Sequence, residues 1–234
     1  MRKVEKAEPA VCAINGGNMK ESNYEITKKK TAQQFLQYDQ KTMIEKYHLD
    51  HDEDYLYLTF VSQLYRIDRT SGLVVRCASD SLPEKEAGYD EAMSIYDILC
   101  YAKENCSLSG KYCLTNSLKG IVKTSVGHPG DGSFQKEKMY FDKETGKLDE
   151  ACRKLGGVPA GKGDVAYRIQ VFPFLPVIFQ FWNSDEDFDA EIQFLWDENT
   201  LQYMHFETLW YVMSHIIRRL MQEAEADIFL VCDR

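Results

Sequence analysis

Long apolar runs are missing from this sequence. No segment approaches the roughly 18 apolar residues that a membrane-spanning helix needs, and Ala10 to Ile14 is too short to be the core of a secretory signal. Of the 234 residues, 44% are hydrophobic and 28% are charged, which is typical of a soluble globular protein. We therefore expect a soluble, cytoplasmic protein that has no membrane partner.

Clustered metal-binding residues are also missing. The seven cysteines are odd in number and include no Cys-x-x-Cys pair, a pattern typical neither of a disulfide framework nor of a zinc or iron-sulfur site. The five histidines show no His-Glu-x-x-His spacing, and His215 is predicted to lie on the polar face of its helix. We expect reduced thiols, no metal site and no cofactor.

Positive charge is scarce in the last part of the chain. Residues 184–234 contain 3 of the 28 basic residues and 12 of the 37 acidic residues, so they carry the whole net charge of −9. Such a charge distribution repels nucleic-acid backbones and anionic membrane surfaces. The sequence therefore predicts a small molecule or a protein as partner, and neither nucleic acid nor membrane.

One glycine-rich segment matches the start of a phosphate-binding loop. Gly156, Gly161 and Lys162 have the Gly-x-x-x-x-Gly-Lys spacing, but such a loop needs a strand before it, a helix after it, and Ser or Thr after the lysine. Here the predicted order is helix, loop, strand, and the next residue is Gly163. We interpret Gly156 and Gly157 as the end of a helix, with at least one of them at positive φ.

Hydrophobic periodicity predicts an α+β fold: a single domain of mainly antiparallel sheet with flanking helices. Residues 1–22 have no periodic apolar face and are predicted to be a mobile tail, and residues 23–234 are predicted to form the domain. The predicted helices are residues 23–47, 90–105, 141–155 and 207–223. The predicted strands are residues 54–61, 62–69, 73–79, 167–172, 175–182 and 190–196.

An acidic loop, SDEDFDAE, follows the strand that ends at Trp182. Its alternating aspartates have the spacing of the first ligands in a calcium-binding EF-hand loop. An EF-hand is excluded, because Ala190 and Trp196 replace the required glycine and bidentate glutamate. If strands 167–172 and 175–182 pair antiparallel, Asp164 and Asp185 lie within about 15 Å of each other at one sheet edge.

That edge supports two functional hypotheses. The first is a binding or accessory module that recognises a small ligand or a protein through the loops around Gly163 and Asp185. The second is an enzyme with an acidic, possibly metal-assisted site in which carboxylates act as acid, base or metal ligand and a basic residue holds an anion. The candidate catalytic residues are Asp164, Arg168, Asp185 and Glu186. The candidate ligand-binding residues are Lys162, Gly163, Trp182 and Phe188.

From about Ser109 to Leu220, the order LGGVPAGKGDVAYRIQVFPFLPVIFQFWNSDEDFDAEIQFLWD and then TLQYMHFETL resembles an uncharacterised bacterial family of domains of unknown function from anaerobes. In that family some members carry an additional iron-sulfur domain similar to those of corrinoid methyl-transfer proteins. The resemblance implies an anaerobic one-carbon or corrinoid context. This chain departs from that arrangement because its N-terminal region holds only Cys12.

Overall fold

The computed structural model describes residues 22–79, 82–119 and 134–224. Residues 1–21 of the predicted tail and the predicted loop at residues 127–132 lie outside the described residues. The helices within the described ranges are α1 (Asn23–Phe35), α2 (Gln40–Tyr47), α3 (Tyr89–Tyr101), α4 (Gln135–Phe141), α5 (Thr145–Lys154) and α6 (Phe206–Glu223). The strands there are β1 (Tyr55–Phe60), β2 (Gln63–Asp68), β3 (Val74–Arg76), β4 (Lys85–Glu86), β5 (Tyr112–Leu114), β6 (Val158–Pro159), β7 (Val165–Phe172), β8 (Leu175–Trp182) and β9 (Glu191–Asp197).

The first sheet is an antiparallel meander in the order β1-β2-β3-β4. Side chains of a strand alternate between its two faces, and in β1 Leu56, Leu58 and Phe60 are buried while the residues between them are partly exposed. The predicted three-stranded meander is confirmed, and the two-residue strand β4 extends it.

The second sheet is also antiparallel, in the order β5-β9-β8-β7-β6. Strands β7 and β8 are joined by the short Pro173–Phe174 connection, so they run back along each other for most of their length. The next strand in sequence, β9, pairs with the other edge of β8. The predicted strands are confirmed to within two residues at their ends, and β8 lies at the centre of the sheet.

Helix α6 packs against α3 and α5. Its apolar residues recur at helical spacing and are buried, as Leu209, Val212, Ile216 and Leu220 show. The two sheets meet where the backbone amide of Val61, after β1, donates to the carbonyl of Val171 in β7 at 2.9 Å. Buried apolar residues of both sheets and of α3, α5 and α6 form one continuous cluster, which confirms the α+β class.

Three helix predictions need correction, of which the first is the predicted helix at residues 90–105, which ends at Tyr101 in α3. The predicted helix at residues 23–47 is two helices, because the Asp39 carboxylate accepts the Lys41 amide at 3.0 Å and starts α2 anew. The predicted helix at residues 141–155 begins instead at Thr145. Its end is as predicted, since Gly156 has φ 68° and its amide donates to the Arg153 carbonyl.

His215 is not on the surface, as its helix face suggested, but is 1% exposed. Arg218 and Arg219 made that face look polar, yet Phe60 of β1 stacks on the imidazole with ring centroids 4.5 Å apart. The side of α6 that carries His215 is therefore packed against the first sheet.

None of the helices described is long and apolar enough to cross a lipid bilayer.

Candidate functional site

The antiparallel pairing of β7 and β8 brings the two loops of interest to one sheet edge. Val165, the first residue of β7, pairs with Phe181 near the end of β8, and the Asp164 amide donates to the Phe181 carbonyl at 2.9 Å. An Asp164 side-chain oxygen then accepts the backbone amide of Asn183 at 2.7 Å. Asp164 therefore lies beside the start of the acidic loop, as predicted.

Backbone hydrogen bonds hold the acidic loop in a tight turn. One Asp185 carboxylate oxygen accepts the amides of Asp187 at 2.9 Å and Phe188 at 2.8 Å. These two bonds favour the charged form and lower the pKa of Asp185 below its usual value. Asp185 is thus a persistent negative charge at neutral pH.

The same loop is anchored on its other side by the α4–α5 connection. The backbone amide and the hydroxyl of Ser184 both donate to the Asp142 carboxylate, at 2.8 and 2.7 Å, and these bonds lower the pKa of Asp142. The Lys143 ammonium donates to the Ser184 carbonyl. The loop is therefore fixed by contacts with two parts of the chain.

Between the loop and the sheet edge lies an open cleft of about 790 Å³, here called the acidic cleft. Of its lining, Trp182 is partly buried and Phe188 is 74% exposed. No basic side chain lines the acidic cleft within the described part of the chain, and the nearby Lys138 ammonium is bound to Glu191 at 2.7 Å. The lining residues are Asp164, Trp182, Asn183, Ser184, Asp185, Phe188, Asp189, Glu191 and Gln193.

Gly163 shapes this cleft through its backbone. It has φ 121°, and a Cβ atom there would lie 2.6 Å from the Phe181 carbonyl oxygen and 3.3 Å from the Trp182 ring. Only glycine lets the loop approach β8 so closely. The predicted role of Gly163 in the site is thus one of close backbone approach.

Four predicted site residues do not line the acidic cleft: Lys162, Gly163, Arg168 and Glu186. Arg168 is exposed in the middle of β7, opposite Ile178, about 13 Å along the strand from Asp164. Lys162 is exposed in the loop before β7, and Glu186 is exposed at the tip of the acidic loop. The arrangement brings carboxylates and aromatic rings together without the cations that an anion site needs.

Clustered carboxylates can also bind a metal ion. Across residues 22–79, 82–119 and 134–224, no group of three or more His, Cys, Asp or Glu side chains is arranged to hold a metal ion. The oxygens of Asp164 and Asp185 instead accept backbone amides. The acidic cleft is therefore organised as a set of fixed charges.

Sequence reasoning missed a buried polar cluster formed by His215, Arg219, Glu91 and Tyr65. The Tyr65 hydroxyl donates to a Glu91 oxygen at 2.6 Å, and the same oxygen is 3.8 Å from Nδ1 of His215. Arg219 donates to the Val61 carbonyl at 2.9 Å. Neither ring nitrogen of His215 has a hydrogen-bond partner among the described residues. No local motif marks the cluster, because its members come from β2, α3 and α6.

Comparison with known proteins identifies a family but no function. No curated protein and no solved structure matches the chain significantly. The model of a family described as a domain of unknown function, DUF3786, matches residues 39–219. That range contains both sheets, α2 to α5, most of α6 and every residue of the acidic cleft. The chain belongs to the DUF3786 family of domains of unknown function.

Proposed function

We propose that this chain is a binding module whose acidic cleft holds a small organic cation, an ammonium or guanidinium group carried on an apolar body. The observation that carries the proposal is the meeting of Asp164 and Asp185 with Trp182 and Phe188 in one open cleft. Carboxylates neutralise a cation, and aromatic faces attract it through their quadrupole.

The charge of the acidic cleft supports a cationic ligand. Four carboxylates line it, from Asp164, Asp185, Asp189 and Glu191, and only Glu191 is bound to an ammonium group among the described residues. The lowered pKa of Asp185 keeps one of these charges in place through the neutral range. This excess of carboxylates disfavours an anionic ligand, and the nearby Lys143 ammonium already donates to the Ser184 carbonyl.

The aromatic residues supply the apolar part of the site. Phe188 is 74% exposed at the tip of a loop, where a large apolar side chain gains little from the fold. Trp182 is the last residue of β8, directly before the acidic loop. The strand therefore fixes the backbone that carries its ring. A cation–aromatic contact contributes about 0.5 to 2 kcal/mol, depending on desolvation.

Binding is favoured over acid–base catalysis by the state of the carboxylates. A general acid or base works best with a pKa near the operating pH, which requires raising the pKa of a carboxyl group. The pKa of Asp185 is instead lowered by its backbone hydrogen bonds. We therefore assign Asp185 to ligand binding and not to acid–base catalysis. On the family resemblance and the composition, we place this module in the cytoplasm, in an anaerobic one-carbon or corrinoid context.

Titration with benzyltrimethylammonium tests the proposal, followed by tryptophan fluorescence and isothermal calorimetry. We expect saturable binding that weakens at high salt, and no binding of benzyl alcohol or benzenesulfonate, which lack the positive charge. Because the three tryptophans all contribute to the fluorescence, a Trp182→Phe variant assigns the signal to the acidic cleft.

Variants with matched controls locate the site. Asp185→Asn keeps an oxygen that accepts the Asp187 and Phe188 amides but removes the charge, and it should weaken binding about fivefold or more. Glu186→Gln removes a charge from the same loop outside the lining and should leave the affinity unchanged. Equal losses in both variants, or equally tight binding of benzenesulfonate, would refute a cation site here.

A further inference from the structure

A second recessed surface lies at the opposite end of the β7–β8 hairpin from the acidic cleft. Two clefts, of about 820 and 420 Å³, share Tyr38 and Cys100 and together follow the outer side of α3. Phe174, in the turn between β7 and β8, lines the larger cleft. We call the two clefts together the α3 groove.

The α3 groove has the dimensions of a short helix. Its lining on α3 runs from Met93 to Ala102, a distance of about 14 Å at the helical rise of 1.5 Å per residue. Its other walls come from α1, α2 and the residue Tyr38 between them, and from residues 205–211 around the start of α6. A groove between helices of this length takes about three turns of a partner helix.

Aromatic and methionine side chains form the inner surface of the groove. The Phe174 ring is stacked with Tyr47 at 4.3 Å and with Tyr203 at 6.2 Å, each at an interplanar angle of 18°. Met43 lines one cleft and Met93 the other. Tyr38, at the junction of the two clefts, is 48% exposed. Stacked rings make a rigid apolar base, and methionines adapt to varied side chains.

The rim of the groove is acidic. Glu45, Glu104 and Glu207 line it, and neither Glu104 nor Glu207 has an ion-pair partner within the described part of the chain. Lys46 is the basic residue of the larger cleft, and its ammonium donates to the Ala102 and Lys103 carbonyls at 2.7 and 2.6 Å. It therefore neutralises the end of α3 and leaves Glu104 and Glu207 uncompensated, while Glu45 has only an exposed pair with Lys41 at 3.7 Å.

From the apolar base, the acidic rim and the length, we infer that the α3 groove docks a basic amphipathic helix of a partner protein. Apolar side chains of that helix enter the two clefts around Tyr38, and its lysines or arginines pair with Glu45, Glu104 and Glu207. A second copy of this chain does not satisfy the groove, because the copy has the same acidic rim and a net charge of −9. This inference concerns a different surface from the acidic cleft and does not depend on it.

A designed probe peptide tests the inference. The probe has about 14 residues, with leucines at i, i+3, i+4 and i+7 and lysines elsewhere, and carries a fluorescent label for anisotropy. We expect saturable binding to the full chain. A peptide with glutamates in place of the lysines, and one with the same composition but no leucine stripe, should each bind at least about tenfold more weakly.

Variants of the chain then locate the bound peptide. Tyr38→Ala and the double charge reversal Glu45→Lys with Glu104→Lys should each weaken binding about tenfold. The matched controls are Tyr24→Ala, an exposed tyrosine of α1 outside the lining, and Glu53→Lys with Glu186→Lys. The charge reversals change exposed residues, so they still test the location of the bound peptide if Tyr38→Ala lowers stability.

Three outcomes overturn the inference. The first is equal binding of the glutamate or stripeless peptide, or no saturable binding up to about 1 mM. The second is binding lost in Phe188→Ala but kept in Tyr38→Ala, which would assign the peptide to the acidic cleft. The third is a concentration-dependent dimer in sedimentation that the Tyr38 and glutamate variants abolish, which would assign the groove to a second copy of the chain.

Discussion

The acidic cleft and the buried polar cluster use charged residues in opposite ways. In the acidic cleft, solvent and backbone amides hold Asp185 charged, and its pKa is lowered. In the buried polar cluster, burial keeps His215 uncharged, and its pKa lies well below 6.5. The comparison indicates that Asp185 stays charged at the surface of the molecule, whereas the buried polar residues belong to the fold.

The buried polar cluster also supports an unusual turn. Val61 and Ser62, which join β1 to β2, have φ of 45° and 57°, a conformation that β-branched residues rarely adopt. Three contacts hold this turn: the Val61 amide to Val171, the Ser62 hydroxyl to the Leu155 carbonyl, and Arg219 to the Val61 carbonyl. The junction between the sheets therefore depends on a buried arginine.

Among the charged residues compared, removal of Arg219 should give the largest loss of stability. Arg219→Ala leaves the buried Val61 carbonyl without its donor and Glu223 without its partner, and should reduce the free energy of unfolding by about 3 kcal/mol. Urea denaturation measures this. Arg218→Ala is the control, because the Arg218 side chain is 40% exposed and its pair with Asp90 is worth at most about 1 kcal/mol. Similar losses of stability in Arg219→Ala and Arg218→Ala would contradict a structural role specific to the buried arginine.

Acid should affect the buried polar cluster before it affects the acidic cleft. Burial and then the charges of Arg218, Arg219 and Arg76 lower the pKa of His215 in the fold, while the unfolded chain keeps the ordinary 6.5. Below pH 6.5 the unfolded state therefore binds a proton at this histidine, whereas the folded state does not. Stability is full above pH 6.5 and falls as the pH drops below it, by at most about 1.4 kcal/mol per pH unit.

His215→Phe should abolish this loss, because phenylalanine keeps the stacking on Phe60 and cannot bind a proton. The other titratable groups facing the imidazole are Glu91 from α3 and Tyr65 from β2. The pKa of Tyr65 is raised by burial and by Glu91, so it does not titrate in this range. Denaturation at pH 7 and pH 5 makes the measurement. An unchanged pH dependence in the variant would show that another group is responsible.

Gly163, beside the acidic cleft, serves both the fold and the shape of the site. Gly163→Val places a Cβ atom against the Phe181 carbonyl at positive φ, and should reduce stability by about 2 kcal/mol as well as distort the site. Gly146→Ala is the matched control, because a Cβ there has no atom within 4 Å and alanine favours a helix. Thermal unfolding separates the two. If Gly163→Val unfolds like the parent chain, the close approach to β8 is not required.

The parts of the fold that follow local rules were predictable. Alternation in β1 and the short connection at Pro173 determine the strands, and antiparallel pairing then places Asp164 beside the acidic loop. Asp39 also marks a helix start in the sequence, since aspartate is a preferred N-cap. Because this signal was overlooked, α1 and α2 were predicted as one helix.

The parts that depend on contacts distant in sequence were not predictable. The face of α6 that carries His215, Arg218 and Arg219 is polar by composition, and only the packing of Phe60 against it shows that it is buried. Arg168 was grouped with Asp164 because the two are near in sequence, although a strand separates residues four apart by about 13 Å. The α3 groove combines residues from α1 to the start of α6, so no single motif indicates it.

The smallest effect on stability should come from replacing Phe188, an exposed residue of the acidic cleft. Phe188 is 74% exposed, so Phe188→Ala should change the free energy of unfolding by no more than about 0.5 kcal/mol. Phe60, by contrast, is buried and stacks on both Phe172 and His215. Phe60→Ala should reduce the free energy of unfolding by about 3 to 5 kcal/mol. If Phe188 serves a ligand and not the fold, the alanine variant keeps its stability and loses affinity for benzyltrimethylammonium. A substantial loss of stability would instead mean that the Phe188 ring secures the acidic loop, and the aromatic wall of the cleft would then be structural.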